Sequence, residues 1–206
     1  MTTAKGFWNW MAARYARQPI ADEASYEKKL AMTREHFEPD MRVVEFGCGT
    51  GSTAVLHAPY VASVLGIDVA ENMVAIAREK AELAGAQNLE FRVGTLEDAV
   101  LEEASFDAAL GLNILHLVPD LDVTLATVAR VVKPGGFFAS STICAADVGG
   151  ALGLIAKGTR WLPFLPNVRS FPVRDLEARI ERAGFSIEER FEQAPGVVFL
   201  IARRAS

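Results

Sequence analysis

The sequence predicts an α/β fold with a mostly parallel sheet, helices on both faces and an antiparallel strand near the C-terminal end. Short apolar segments alternate with helical segments between residues 41 and 143, a pattern typical of parallel strands joined by right-handed crossovers. A glycine-rich turn joins the first of these strands to the helix that follows. The last two apolar segments are separated only by the loop around 194–196, and a loop this short can join only antiparallel strands.

The composition is that of one globular domain. The chain has 206 residues, of which 50% are hydrophobic and 23% are charged. With 21 basic and 26 acidic side chains the net charge is −5, so there is no excess of Lys and Arg to neutralise phosphates. We therefore expect no nucleic-acid partner, while the oligomeric state is not indicated.

Cysteine content and hydropathy favour a cytoplasmic protein. Cys48 and Cys144 are too few for a disulfide framework and have no zinc-site spacing, so we expect reduced thiols and no metal. The amphipathic N-terminus lacks the apolar core of a signal peptide. No apolar run near the C-terminus approaches the roughly 20 residues that a membrane span requires.

The first 40 residues predict a helical extension. Tyr26, Leu30 and Phe37 recur at helical spacing, with charged residues between them. Pro39 ends this segment, because the residue before a proline avoids the helical region.

The central part of the chain predicts alternating strands and helices. Gly85 stands where one helix should stop, and the Pro-Gly-Gly sequence at 134–136 predicts a turn. The expected strands are 41–46, 63–69, 89–93, 106–112 and 137–143, and the expected helices are 52–59, 71–84 and 121–131.

The C-terminal part predicts one helix and the antiparallel strand pair. Leu176 and Ile180 share one face of a helix over 174–183, which Gly184 ends, and strands follow at 185–191 and 197–202. Because no linker or repeat is visible, we expect a single domain over 1–206. Its expected parts are a helical extension or lid at 1–40, a ligand-binding core at 41–144, a variable insert at 145–172 and the C-terminal helix and strand pair at 173–206.

The glycine-rich turn predicts a ligand site. Gly47, Gly49 and Gly51 lie between the first strand and the following helix. Glycines let a ligand approach the backbone closely, and a helix N-terminus offers free N–H groups with partial positive charge. This combination suits a nucleotide or a carboxylate, although a tight turn without a ligand is the alternative.

An acidic residue at the end of the second strand strengthens that prediction. Asp68 follows Gly47 by 21 positions, which in an open α/β sheet places a carboxylate to accept from ribose hydroxyls. The alternative is that Asp68 caps the helix predicted to begin at residue 71.

Four segments together resemble a known family. EFGCGTGS, GIDVAENM, LNILHLVPD and VVKPGGFF occur in the order and spacing of class I methyltransferases that use S-adenosylmethionine. The likeness covers roughly 41–138 and is greatest to small-molecule enzymes, including those of quinone biosynthesis. It implies a Rossmann-like sheet of seven strands with an antiparallel last strand, S-adenosylmethionine as cofactor and S-adenosylhomocysteine as product.

The resemblance also implies roles for individual residues. The turn that contains Gly47, Cys48, Gly49 and Gly51 would lie under the methionine part of the cofactor, and Glu45 would order this turn or meet the cofactor ammonium through water. Asp68 would accept from the ribose hydroxyls. The remaining implied contacts are Val69 and Met73 against the adenine, Thr95, Leu96 and Glu97 along its edge, and Asn113 beside the methionine part.

Two positions depart from the family pattern. Thr95 stands where an acid commonly accepts from the adenine amino group, so either its hydroxyl or Glu97 would take that role. Ala70 stands where Ser or Thr often caps the next helix, and losing such a cap typically costs about 1 kcal/mol.

His116 is the candidate general base, since it follows the carboxyl end of the fourth strand, where α/β sheets bind ligands. The alternative is that it only shapes the cofactor pocket. His36 is expected to face solvent, and His57 to be structural.

The methyl acceptor is expected to be a small apolar or aromatic molecule. All three tryptophans, Trp8, Trp10 and Trp161, lie in the extension and the insert, accompanied by Phe164 and Phe171. These rings either enclose the acceptor or dock the two segments on the sheet. The alternative functions are a protein or nucleic-acid methyltransferase, a non-catalytic cofactor-binding protein of the same fold, and a nicotinamide dehydrogenase.

Overall fold

Seven strands form one mixed sheet in the residues that the computed structural model describes, 4–148 and 168–206. The strands are β1 (Arg42–Phe46), β2 (Ser63–Asp68), β3 (Leu89–Val93), β4 (Phe106–Leu112), β5 (Val132–Ile143), β6 (Phe185–Ala194) and β7 (Val197–Arg204). Their order is β3-β2-β1-β4-β5-β7-β6. β7 runs antiparallel to β5 and β6, and the other neighbours are parallel. The predicted Rossmann-like fold with its antiparallel C-terminal strand is therefore confirmed.

Helices connect these strands and form the N-terminal extension. They are α1 (Ala4–Tyr15), α2 (Glu23–Arg34), α3 (Ser52–His57), α4 (Glu71–Leu83), α5 (Leu121–Val131) and α6 (Val173–Arg182). A short 3₁₀ turn, Ala58–Tyr60, follows α3.

Two apolar cores lie on opposite faces of the sheet. Side chains alternate along a strand, so Val43 belongs to one core while Val44 and Phe46 belong to the other. α3 and α4 cover the first core, and α5 and α6 cover the second. Because both faces are covered, the central strands are buried almost throughout, as the continuous apolar segments indicate.

The N-terminal extension is helical, as predicted, and consists of two helices. α1 ends at Tyr15, before the Gln18–Pro19 pair, where the proline disfavours helical backbone. α2 starts afresh because the Asp22 carboxylate accepts from the Ser25 N–H at 3.0 Å. The extension therefore turns between the two helices, and α1 packs on α4.

α1 supplies the helix cap that Ala70 lacks. Asn9 Oδ1 accepts from the Asn72 backbone N–H at 2.8 Å, and Asn72 Nδ2 donates to the Asn9 carbonyl at 3.1 Å. Asp68 Oδ1 accepts from the Ala70 N–H at 2.9 Å. Asn9, which is distant in the sequence, thus satisfies an N–H in the first turn of α4, and the neighbouring Asp68 satisfies the N–H of Ala70 just before the helix, where the sequence predicted a missing cap.

The fifth strand is longer than predicted. It begins at Val132, which pairs with Phe106, and the expected turn at 134–136 lies inside the strand. The pairing shifts register between Phe106 and Ala108, and Gly135 has φ +76°. An irregularity inside the ladder therefore accommodates the Pro-Gly-Gly sequence without ending the strand.

Gly66 in β2 lies in the core between the sheet and α4, and a substitution there tests how tightly this core is packed. A Cβ at this position would lie 2.5 Å from Phe91 Cδ1 and 3.1 Å from Cys48 Sγ. We expect Gly66→Ala to lower the free energy of unfolding by about 1–3 kcal/mol in urea denaturation, because the added methyl overpacks this core. Adding Phe91→Leu makes room for the methyl group. The double variant should therefore lose less free energy of unfolding than the sum of the losses in the two single variants. Unchanged stability of Gly66→Ala would contradict this packing.

Candidate functional site

A cavity lies at the carboxyl ends of β1, β2, β3 and β4. Nine of the twelve residues predicted for the cofactor line it: Gly47, Gly49, Asp68, Val69, Met73, Thr95, Leu96, Glu97 and Asn113. The other lining residues are Trp8, Tyr15, Phe46, Gly94, Leu112, Ile114, Leu117, Val118, Pro119 and Thr124. The chain segments after four strands and the N-terminal helix α1 therefore meet at one site.

Asp68 joins two backbone turns at the floor of the cavity. Its Oδ2 accepts from the Gly49 N–H at 2.9 Å, and its Oδ1 accepts from the Ala70 N–H at 2.9 Å. Burial raises the pKa of this carboxyl, while the two backbone hydrogen bonds oppose the rise. Each oxygen keeps a further lone pair, so the carboxylate can accept from a pair of ligand hydroxyls.

The glycines of the turn serve different purposes. Gly47, Gly49 and Gly51 all have positive φ, between +53° and +72°. At Gly49 a Cβ would meet only the Tyr15 ring, at 3.9 Å, so the backbone there is open to a ligand. At Gly51 a Cβ would lie 2.7 Å from Ala77 Cβ, so this glycine allows the turn to pack on α4.

Three predicted cofactor residues do not line the cavity: Glu45, Cys48 and Gly51. Glu45 is buried, its Oε2 has no hydrogen-bond partner among the described residues, and burial together with Asp68 raises its pKa to about 8. The Cys48 thiol is buried against the β2 side, and burial raises its pKa well above the usual value. The structure therefore places these side chains behind the turn, and their predicted contact with the cofactor stays a prediction.

The turn after β3 is held in place by the hydroxyl of Thr95 and by a hydrogen bond from α5. Thr95 Oγ1 accepts from the Asp98 N–H at 3.0 Å, which closes the turn. Glu97 Oε1 accepts from Thr124 Oγ1 at 2.5 Å, so α5 fixes this carboxylate at the cavity wall. Thr95 and Glu97 are the two candidates for accepting a hydrogen bond from the adenine amino group. Only one of the two Glu97 carboxylate oxygens is used in these bonds, whereas the single Thr95 hydroxyl oxygen already accepts a hydrogen bond.

His116 does not reach the cavity. It is buried, its Nδ1 has no partner among the described residues, and burial lowers its pKa to about 4. Its carbonyl accepts from the Arg169 N–H at 2.8 Å, which ties the end of the segment 145–172 to the turn after β4. A base this weak is poorly matched to a hydroxyl proton at neutral pH, so the catalytic role predicted for His116 has no support from its position.

The other two histidines are also remote from the cavity. His36 is not solvent-facing as predicted: its side chain is 15% exposed, and Nε2 lies 2.6 Å from Glu189 Oε1. His57 is fully buried edge-on to Phe37, which fits the structural role predicted for it.

Sequence reasoning did not fix which aromatic residues reach the site. Trp8 and Tyr15 line the cavity, whereas Trp10 is 74% exposed. Phe171 is buried in the core beside α6 rather than at the cavity. Trp161 and Phe164 lie outside the described residues. α1 packs on α4 through Ala12, which lies against Ala70 and Met73. This packing decides which aromatic side chains of α1 face the cavity. The apolar residues of α1 have no helical periodicity from which this could be predicted.

The cavity has one polar side and one apolar side. Asp68 and Glu97 are acidic, and partial burial together with Asp68 raises the pKa of Tyr15. Ile114, Leu117, Val118 and Pro119 form a contiguous apolar wall that follows β4. The lining contains no Lys, Arg or His among the residues that the structure describes. We call the residues Ile114, Leu117, Val118 and Pro119 the apolar wall.

Within 4–148 and 168–206, no three His, Cys, Asp or Glu side chains are grouped to hold a metal ion. In the same residues, no helix has the length and apolar character needed to cross a membrane.

The pKa of Glu45 predicts a pH-dependent stability. Between its ordinary value of 4.5 and its value of about 8, the folded carboxyl keeps a proton that the unfolded chain releases. The free energy of unfolding should therefore fall as pH rises through this window, by about 1.4 kcal/mol per pH unit. Glu45→Gln removes this loss, so urea denaturation should favour the variant over the parent by about 2–3 kcal/mol more at pH 7.5 than at pH 5.5. Exposed Glu82→Gln is the control, and an equal difference at both pH values would contradict the buried carboxyl.

The comparisons with known proteins agree with this geometry. A family model described as a methyltransferase domain matches residues 44–140. A ubiquinone biosynthesis O-methyltransferase from Sinorhizobium fredii is 32% identical over 187 residues, which cover 89% of this chain and 73% of that protein.

Solved structures share the fold. An S-adenosylmethionine-dependent methyltransferase from Mesorhizobium loti superposes with a TM-score of 0.73 at 23% identity, covering 89% of this chain and 99% of that one. The YcgJ protein from Bacillus subtilis superposes with a TM-score of 0.74 at 19% identity, covering 87% and 99%.

The cavity fits the cofactor that the resemblance implies. A nucleoside needs a carboxylate for its ribose and apolar surface for its base, and Asp68, Val69 and Met73 offer both. An amino-acid tail needs open backbone, which Gly49 offers. From the fold, this cavity and the identity to its relatives, we conclude that the chain belongs to the class I S-adenosylmethionine-dependent methyltransferases and uses S-adenosylmethionine as its cofactor.

Proposed function

We propose that this enzyme methylates a hydroxyl oxygen of a small apolar or aromatic molecule. The observation that carries the proposal is the apolar wall, which continues directly from Asn113 at the end of β4. Trp8 adds an aromatic side chain to the same cavity. Burial of an acceptor ring against these side chains would contribute roughly 25 cal/mol per Å² of apolar surface removed from water.

The cofactor would lie across the polar side of the cavity. We propose that Asp68 accepts from both ribose hydroxyls and that Gly47 and Gly49 lie under the methionine part. Val69 and Met73 would pack on the adenine, and the turn with Thr95, Leu96 and Glu97 would meet its edge. The two backbone bonds to Asp68 support this arrangement, because they hold the carboxylate in place before any ligand binds.

The reaction needs orientation and dryness more than strong acid–base catalysis. S-adenosylmethionine supplies a methyl group on a positively charged sulfur, which leaves as a neutral thioether. The chain must hold the acceptor oxygen about 3–3.5 Å from that carbon and exclude water, which suits apolar residues such as those of the wall. Since no histidine or lysine lines the described cavity, an acceptor with an acidic hydroxyl, such as a phenol, is favoured.

The relatives support an oxygen acceptor. The protein from Sinorhizobium fredii is named for O-methylation in ubiquinone biosynthesis, and quinone precursors are aromatic. The alternative of a nucleic-acid or protein substrate lacks such support, since the chain carries a net charge of −5 and the acceptor side is apolar.

A panel of acceptors tests this proposal. We expect S-adenosylhomocysteine to form with catechols and phenols, faster for those with an alkyl tail, and not with thiols or amines of similar size. The matched variants are Trp8→Ala and Trp10→Ala, on the same helix. Trp8→Ala should raise the acceptor KM about tenfold, because it removes aromatic surface from the cavity, while Trp10→Ala should leave it unchanged.

Two results would contradict the proposal. One is turnover with amines or thiols in preference to phenols. The other is an equal effect of the two tryptophan variants on KM, which would mean that the cavity face of α1 does not contact the acceptor.

A further inference from the structure

Lys29 in α2 is hydrogen-bonded to the ends of two strands of the sheet. Its side chain is half-buried between α2 and the carboxyl ends of β5 and β6. Nζ lies 3.1 Å from Ser141 Oγ and 2.7 Å from Gln193 Oε1. A lysine normally keeps its ammonium in water, so a half-buried one beside a cavity calls for an explanation.

The chemistry of these groups sets the direction of each hydrogen bond. An ammonium has no acceptor, so Lys29 donates and Ser141 Oγ accepts. The hydroxyl hydrogen of Ser141 is then free to be donated to Asn113 Oδ1, which lies 3.3 Å away. With its oxygen occupied, Asn113 has its amide Nδ2 left to donate into the cavity that it lines.

The backbone also fixes Asn113. Its N–H donates to the Ser141 carbonyl at 2.7 Å, and its φ is +58°, a left-handed conformation that asparagine tolerates better than most residues. Ser141 therefore holds both the backbone and the side chain of Asn113. The series Lys29, Ser141 and Asn113 is called the amide relay below.

Asn113 lies where the two halves of the site meet. The next residue, Ile114, packs so closely on Gly47 that a Cβ there would lie 2.5 Å from its Cγ1. Leu117, Val118 and Pro119 continue the apolar wall beyond it. An oxygen that receives the methyl group must lie between the methionine side and this wall, within reach of the Asn113 amide.

The other charges of the cavity oppose an anion at that point. Asp68 and Glu97 line it as carboxylates, whereas the nearby Tyr15 and Glu45, whose pKa values are raised, are neutral at pH 7. Next to Lys29, the Asp22 carboxylate accepts from Gln193 Nε2 at 2.8 Å. A phenolate in such surroundings needs a hydrogen-bond donor that is polarised by a nearby positive charge. The amide relay connects the cavity to such a charge, the Lys29 ammonium.

We propose that Lys29 is a positioning residue for the methyl acceptor, which through Ser141 aims the Asn113 amide N–H at the acceptor oxygen and favours its ionised form. The proposal rests on O-methylation as the function. The proton of the acceptor leaves to solvent, and the amide relay holds the resulting anion in line with the methyl group. Burial lowers the pKa of Lys29, as expected for an ammonium held away from water.

A chromophoric phenol tests this directly. 4-Nitrocatechol changes its absorbance on ionisation, so its pKa can be measured while it is bound to the enzyme saturated with S-adenosylhomocysteine. The parent should lower the pKa of the bound probe relative to the free probe. Lys29→Met and Ser141→Ala should each raise it by about one pH unit, which is a tenfold change in proton affinity. The affinity for S-adenosylhomocysteine should stay within about twofold of the parent.

Lys28→Met is the matched control. Lys28 is the exposed neighbour on α2, its Nζ lies over the Phe191 ring at 3.9 Å, and its loss changes the net charge equally. This variant should keep the parent's probe pKa. Because both variants of the amide relay act on the same amide, Lys29→Met with Ser141→Ala should shift the probe no further than Ser141→Ala does.

Several outcomes would overturn the proposal. An unchanged probe pKa in folded Lys29→Met and Ser141→Ala would do so. A loss of S-adenosylhomocysteine affinity without a probe shift would assign the amide relay to the cofactor instead. A probe that binds as the phenolate but is never methylated would contradict O-methylation and leave the effect of Lys29 on ionisation standing. A probe that does not bind at all would overturn both.

Discussion

The Asp68 carboxylate is the interaction on which the site depends. It accepts from the glycine turn at Gly49 and from the start of α4 at Ala70, so one side chain sets the distance between two βα turns. Both turns contribute cavity residues, with Gly47 on one side and Val69 and Met73 on the other. A ligand carboxyl or hydroxyl therefore meets groups that are already oriented, which lowers the entropy lost on binding.

α4 extends this arrangement away from the floor of the cavity. Ala77 packs directly against Gly51, and Lys80 Nζ donates to Thr50 Oγ1 at 2.9 Å and to Ser52 Oγ at 2.7 Å. At its other end α4 receives α1, which brings Trp8 and Tyr15 over the cavity. One helix thus supports the glycine turn and positions the N-terminal helix.

The sheet could be predicted because its central strands are apolar segments that alternate with helical segments, and β3, β4 and α5 have the predicted limits. Nine of the predicted cofactor residues meet because they lie at the carboxyl ends of the strands or in the turns and the helix that follow them. The bond between Asn9 and Asn72 and that between Lys29 and Ser141 join residues 63 and 112 positions apart, and no local pattern marks them. The sequence position of His116 after β4 did not reveal that its side chain is absent from the cavity lining. The turn after β4 directs Leu117 and Val118 to the cavity instead of the histidine.

We propose that Asp68 holds the cofactor as well as the two turns. Calorimetric titration of S-adenosylhomocysteine into Asp68→Ala tests it, with Asp40→Ala, an exposed aspartate at the opposite end of the sheet, as the control. Loss of charged hydrogen bonds to the ribose should weaken binding by about tenfold to a hundredfold in Asp68→Ala, with Asp40→Ala unchanged. If a folded Asp68→Ala variant bound S-adenosylhomocysteine with the affinity of the parent, the proposed role of Asp68 would be contradicted, because the cofactor would then not be held at this carboxylate.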